Sequence, residues 1–204
     1  MLGIGPGLWR EGHNVLLFDF RGSGDSGDGR QSLAHYEQAD LTAALDWVAR
    51  SHPRARITVM AFSMGASTAI LTAAQDPRIE ALVLDSPFAT MSGVIAANYR
   101  RYRLPGRLLL PVADLVNRIF CGYAFEQVRP IDAMRSLSPR PVLLLHGTKD
   151  RIIPYEHAQQ LVDAASPGEV ELITFEGADH CGGYFVDRPG YIARVARFLE
   201  AVPG

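Results

Sequence analysis

Cysteine is scarce in this chain of 204 residues: Cys121 and Cys181 are the only two. Two thiols cannot build a disulfide framework, and no cluster of Cys or His has metal-ligand spacing. An excess of one charge is lacking too. Twenty Lys and Arg face 22 Asp and Glu, a formal net charge of −2, so no global pull toward nucleic acid or acidic membranes is expected. No run approaches the ~18 apolar residues of a membrane span. No charged-then-apolar leader opens the chain; a cytoplasmic setting is the default expectation, with an upstream signal or anchor left open. What remains is an ordinary globular composition, 48% hydrophobic and 21% charged. The length suits one domain with a sizeable core.

The most informative residues are Ala61-Phe62-Ser63-Met64-Gly65-Ala66. The β-branched, apolar run Ile57 to Met60 precedes them, and Ser67 to Leu71 reads as a helix. A strand, a serine between small residues and a helix describe a nucleophile elbow, whose strained turn demands small neighbours two before and two after the serine. The hydroxyl of Ser63 then stands above the sheet, with the Met64 N–H aimed where an oxyanion would form. A helix N-cap serine after a buried strand is the plainer alternative.

A hydroxyl is a weak nucleophile at neutral pH and needs a base, which in turn needs a carboxylate to orient it. Asp150 follows the buried run Pro141 to His146, and His180 follows the run Val170 to Phe175. Sites in parallel sheets lie beyond the carboxyl ends of strands, so Ser63, Asp150 and His180 are expected to converge. Asp85, at the end of the run Ile79 to Leu84, is a second candidate acid. His146 precedes Asp150 and reads as a packed histidine. His13, His35, His52 and His157 carry no catalytic pattern. Asp179 reads as a solvated turn residue, and Cys181 as a small packed one.

The stations Asp19-Phe20-Arg21-Gly22-Ser23-Gly24-Asp25-Ser26, Phe62-Ser63-Met64-Gly65, Leu145-His146-Gly147-Thr148-Lys149-Asp150 and Gly177-Ala178-Asp179-His180 resemble those of the α/β-hydrolase superfamily. The branch they are most similar to holds the dienelactone hydrolases and prolyl-oligopeptidase-type catalytic domains. The resemblance runs from about Leu8 to about Leu199. It implies an α/β fold, a mostly parallel sheet with helices on both faces. It also implies a serine hydrolase cleaving an ester or thioester, or an amide, through an acyl-enzyme on Ser63. His180 would be the base, Asp150 its orienting acid, and the Met64 N–H one oxyanion donor. A small-molecule acyl substrate is implied, and no cofactor, metal or nucleic acid. A non-catalytic remnant, or a binding or scaffolding protein on the same fold, is the alternative of another class.

Expected strands are Val15–Phe20, Arg56–Ala61, Ile79–Leu84, Pro141–Leu145 and Glu169–Phe175. Expected helices are Ser32–Arg50, Met64–Gln75, Pro154–Ala165 and Tyr191–Ala201. Residues 91–129 break the alternation and are expected to form a lid over the site. An apolar helix, Leu108 to Phe120, lies there between basic stretches, with six arginines against Asp114 and Glu126. A basic lid would suit an anionic substrate or membrane surface; a solvated face with snorkelling arginines is the alternative.

The resemblance also implies three strands before Val15. The third would lie between Val15–Phe20 and Arg56–Ala61 and end in the loop carrying a second oxyanion donor. Met1 to Gly12 would correspond to the helix that follows, although Gly3, Gly5, Pro6 and Gly7 are poor helix formers. The expectation is an N-terminally incomplete fold that is a poor independent folder. Gly22 to Gly27 matches G-x-G-x-x-G but continues as loop instead of opening a helix, so dinucleotide binding is not expected.

Overall fold

The computed structural model describes residues 3–202, so Met1 and Leu2 of the expected N-terminal helical segment lie outside the described residues. Four strands, β1 (Ile57–Phe62), β2 (Ile79–Asp85), β3 (Val142–Gly147) and β4 (Val170–Phe175), pair in that order. All the pairings are parallel, with Leu82 opposite Val142 and Leu145 opposite Ile173. The helices are α1 (Ile4–Arg10), α2 (Glu37–Ser51), α3 (Met64–Ala73), α4 (Met91–Arg101), α5 (Gly106–Cys121), α6 (Pro130–Ala133), α7 (Glu156–Ala164), α8 (Gly183–Val186) and α9 (Arg188–Ala201).

The stretches Ala81–Leu84 of β2 and Val142–Leu145 of β3 are apolar throughout because both of their faces are covered. Leu82, Leu84, Val142 and Leu144 point to one face, against Leu41 and Leu45 of α2 and Ile70 and Ala73 of α3. Val83, Leu143 and Leu145 point to the other, against Leu8 of α1 and Tyr191 and Val195 of α9. Truncating Ile70, fully buried, to Ala should destabilise the fold by about 2–5 kcal/mol. A third cluster, with Phe88, Met91, Val94, Tyr123, Phe125 and Ile153, lies under α4 and α5.

One expectation fails at the N-terminal end. Val15–Phe20 is not a strand. It has the apolar residues for one, but no ladder forms, and Val15, Leu16, Leu17 and Phe18 are exposed. A strand exists only when a neighbour takes its N–H and C=O groups. Between this segment and the outer edge of β1 lies an apolar cavity of about 1210 Å³, lined by Val15 to Phe18 on one side and Ile57 to Met60 on the other. Conversely, the glycines and proline of α1 do not prevent a helix. Ile4 and Leu8 are buried against α9, and tertiary packing overrides propensity. Gly7 is part of the reason, since a Cβ there would stand 2.9 Å from Ile192 Cδ1.

Helix α2 begins five residues later than the pattern predicts. The buried Glu37 carboxylate accepts the Ser32 N–H at 2.6 Å and the Ser32 hydroxyl. Ser32 Oγ in turn accepts the N–H of His35 at 3.1 Å and of Tyr36 at 2.7 Å. Residues 32–36 are thereby held as a turn, and the helix starts beyond it.

Candidate active site

The tight turn from β1 into α3 holds Ser63 at φ 52°, ψ −123°, a backbone region L-residues rarely occupy. Its N–H donates to the Asp85 carbonyl at 2.8 Å, tying the turn to the end of β2. Two residues on, Gly65 packs against the Phe20 ring, where a Cβ would come into ordinary contact at 3.4 Å from Cε2. Met64 and Gly65 open α3, so their N–H groups have no intrahelical acceptor and carry the positive end of the helix dipole.

Ser63, His180 and Asp150 stand in one hydrogen-bonded line. Ser63 Oγ is 2.8 Å from His180 Nε2, and His180 Nδ1 is 2.7 Å from Asp150 Oδ2. Asp150 Oδ1 accepts the N–H groups of Ile152 at 2.9 Å and Ile153 at 2.8 Å. Burial alone would push the Asp150 carboxyl up; the nearby His146 imidazole and the hydrogen bonds from His180 and the Ile153 N–H outweigh it and hold the carboxyl well below the usual carboxylate range. His146 is fully buried and donates Nε2–H to the Ile153 carbonyl at 2.9 Å, while Asp150 Oδ2 lies farther off at 3.4 Å. It braces the loop that carries the acid.

Asp85 does not reach His180. Its Oδ2 accepts the Tyr191 hydroxyl at 2.8 Å and its Oδ1 the Ser86 hydroxyl at 3.1 Å. Burial pushes its carboxyl up. Ser86 Oγ also accepts the Cys181 N–H at 3.2 Å, so this buried cluster supports the backbone beside His180. The Cys181 thiol is pushed up to about 12 by its own burial and then by the Asp85 charge, so it is not a reactive thiolate.

Asp179 requires a correction. It is not a merely solvated turn residue: it accepts from the backbone of both Arg151 and His180 and pairs with the Arg151 guanidinium. Nothing local in the sequence announces this, because Arg151 and Asp179 lie 28 positions apart. The glycine-rich loop at residues 22–27 turns inward upon itself. Gly22 N–H donates to the Gly27 carbonyl at 3.0 Å, the Asp25 N–H to Asp19 Oδ2 at 3.1 Å and the Ser26 hydroxyl to the Asp19 carbonyl at 2.6 Å. No helix follows it directly.

Beside Ser63 and Met64 opens a pocket of about 270 Å³, walled by Leu33, Phe88 and Ile153 and by Val94, Ile95 and Tyr99 of α4. The covering wall is therefore α4. The apolar helix expected over the site, α5, stacks outside it, with Gly106 against Tyr99.

Residues 2–115 match the family described as alpha/beta hydrolase fold, and residues 116–201 a family described as TAP-like protein. The chain is 32% identical over 193 residues to the uncharacterized protein YqkD of Bacillus subtilis, covering 93% of this chain and 63% of that protein. It is 28% identical to protein bem46 of Schizosaccharomyces pombe, covering 91% and 57%. The chain thus spans about three fifths of the length of these curated relatives. Among solved structures, the esterase Pf2001 of Pyrococcus furiosus is 28% identical and superimposes with a TM-score of 0.77, over 97% of this chain and 74% of that one.

Proposed function

The chain belongs to the alpha/beta hydrolase fold family, and from that premise we propose that it is a serine hydrolase cleaving a carboxylic ester or thioester. The observation that carries the reading is the unbroken line Ser63 Oγ, His180 Nε2, His180 Nδ1, Asp150 Oδ2.

Ser63 Oγ attacks the acyl carbonyl as His180 Nε2 takes its proton. The carbonyl oxygen, now an anion, is met by the Met64 N–H at the positive end of α3. His180 returns the proton to the leaving oxygen or sulfur as the carbonyl re-forms, leaving an acyl group on Ser63. Water, deprotonated by His180, then releases the acid. Asp150 holds the Nδ1–H tautomer and stabilises the imidazolium. Esters and thioesters are favoured over amides because their leaving groups depart more easily. The apolar walls of the 270 Å³ pocket suit a short acyl chain.

In the same reading the cavity beside β1 seats a further strand, as the resemblance implies. Supporting this are the unpaired outer edge of β1 and the exposed apolar residues 15–18 that face it. The alternative of a non-catalytic binding remnant is disfavoured by the strained Ser63 backbone, which a purely structural turn has no reason to keep.

The test is labelling with a fluorophosphonate, followed by a panel of acyl esters of rising chain length. Labelling at Ser63, abolished in Ser63→Ala, is the expected result. A folded protein that neither labels nor turns over any ester would overturn the proposal.

A further inference from the structure

Helix α5 leaves a broad apolar face to solvent. Its half-buried residues are Gly106, Leu109, Leu110, Ala113, Asp114, Asn117 and Cys121; Leu110, Ala113 and Cys121 pack on the third cluster, and the polar pair Asp114 and Asn117 sits among them. Asn117 Nδ2 donates to the Tyr123 carbonyl at 2.6 Å, Asp114 Oδ1 accepts the Phe125 N–H at 2.7 Å, and the Tyr36 hydroxyl donates to the Cys121 carbonyl at 2.5 Å. These bonds, with the apolar contacts of Leu110, Ala113 and Cys121, fix which face of the helix meets the protein. The outward face carries Leu108, Val112, Leu115, Val116, Ile119 and Phe120, with Leu108 73% and Phe120 68% exposed. At 100° per residue, Leu108, Val112, Leu115 and Ile119 fall within one narrow stripe. No residue of α5 is buried. An unburied apolar stripe of this size is an interaction surface.

Charge identifies the occupant. Arg107 and Arg118 stand 11 positions apart, on the same flank of the stripe, and Arg103 lies in the loop that leads into the helix. All are exposed. Among the described residues, Arg103 and Arg107 form no ion pair, while Arg118 pairs with Asp114. An apolar stripe edged by arginines matches the boundary between acyl chains and anionic headgroups. The helix is too short to cross a bilayer: its 16 residues extend about 24 Å, against a hydrocarbon core of about 30 Å. The apolar segment beyond it cannot extend it, since Val128, Met134 and Leu137 there are already buried in the protein.

We propose that the outward face of α5 docks this protein on an anionic lipid surface, lying in the interface with its apolar stripe among the acyl chains. Docked in this way, α4 and the pocket at Ser63 lie one helix layer behind the membrane face. The inference does not depend on the hydrolase reading, and its test does not measure turnover.

The experiment is co-sedimentation of the chain with vesicles of phosphatidylcholine, alone or with about one third phosphatidylglycerol. The expected result is binding to the anionic vesicles that weakens at high salt. Leu108→Gln, Leu115→Gln and Ile119→Gln together should reduce it at least about tenfold. Arg103→Gln with Arg107→Gln should weaken it and remove most of the salt dependence. The replaced side chains point outward, and circular dichroism and thermal melts establish that each variant is folded. No binding to anionic vesicles, or equal binding by the triple variant, overturns the proposal. So does a concentration-dependent dimer that the triple variant abolishes without any vesicle binding, which would assign the face to a second copy of the chain.

Discussion

Arg151 and Asp179 join the two loops that carry Asp150 and His180. The Arg151 N–H donates to Asp179 Oδ1 at 3.0 Å, the guanidinium Nε to Oδ2 at 2.7 Å, and the same Oδ1 accepts the N–H of His180 at 2.9 Å. Arg151 is exposed and Asp179 half-buried with its carboxylate reached by solvent, so the charge pair itself adds little stability. Its structural effect is to fix the His180 backbone relative to the loop of Asp150.

Asp179→Ala should therefore lower kcat about 3- to 10-fold with KM little changed, because only the pose of the base is loosened. Asp179→Asn keeps an oxygen for the two backbone donors and should recover most of the rate. Steady-state kinetics on a soluble ester decide this. A fall in melting temperature with kcat intact would reduce Asp179 to a structural clamp.

The two buried carboxylates separate by mutation. Asp150→Asn removes the acceptor that fixes the His180 tautomer and should reduce kcat by about 10³–10⁴. Asp85→Asn should reduce it by less than about tenfold, since Asp85 touches Tyr191 and Ser86 instead of the imidazole. Equal losses would mean that the two acids share the role.

They also respond to pH in opposite senses. Asp150 is depressed. Its stabilising contribution is present above its unfolded value, near 3.9, and is lost as pH falls through the folded value. Asp85 is raised by burial. The stability its protonated form contributes is present below the unfolded value and is lost as pH rises through the folded value. Asp85→Asn should thus melt a few °C higher than the parent at about pH 7, with the gap shrinking toward about pH 4. Thermal melts across that range test it; a gap independent of pH would show that the Asp85 carboxyl titrates in the fold as it does in the unfolded chain.

Acyl preference should follow α4. Ile95→Trp fills part of the pocket beside Ser63 and should shift the preferred ester toward shorter chains. The rate of fluorophosphonate labelling should change less than the ratio of kcat/KM between long and short esters. An unchanged ratio would place the acyl chain elsewhere.

The exposed run Val15 to Phe18 and the cavity beside β1 should make the 204-residue chain marginal on its own. Binding of a hydrophobic dye and a broad thermal transition are expected. A sharp cooperative transition without dye binding would show that the open edge is tolerated.

The amino-acid sequence by itself determined the elements whose signals are local. The run into Ser63 and the small residues around it specify strand, turn and helix, because φ/ψ demands and 3.6-residue periodicity act over a few positions. The apolar runs ending near Asp85, Asp150 and His180 are legible for the same reason. Tertiary structure alone decided the distances. Asp85 ends β2 and Asp150 follows β3 in the next loop, and only the packing of the loops after β3 and β4 brings Asp150 to 2.7 Å from His180. Val15–Phe20 has the composition of a strand but lacks the pairing that makes one, since a ladder is a property of two segments. The glycines of α1 argue against a helix until the packing of Ile4 and Leu8 is counted. Periodicity shows that α5 has an apolar face; only three-dimensional placement, through Asn117, Asp114 and Tyr36, turns that face outward.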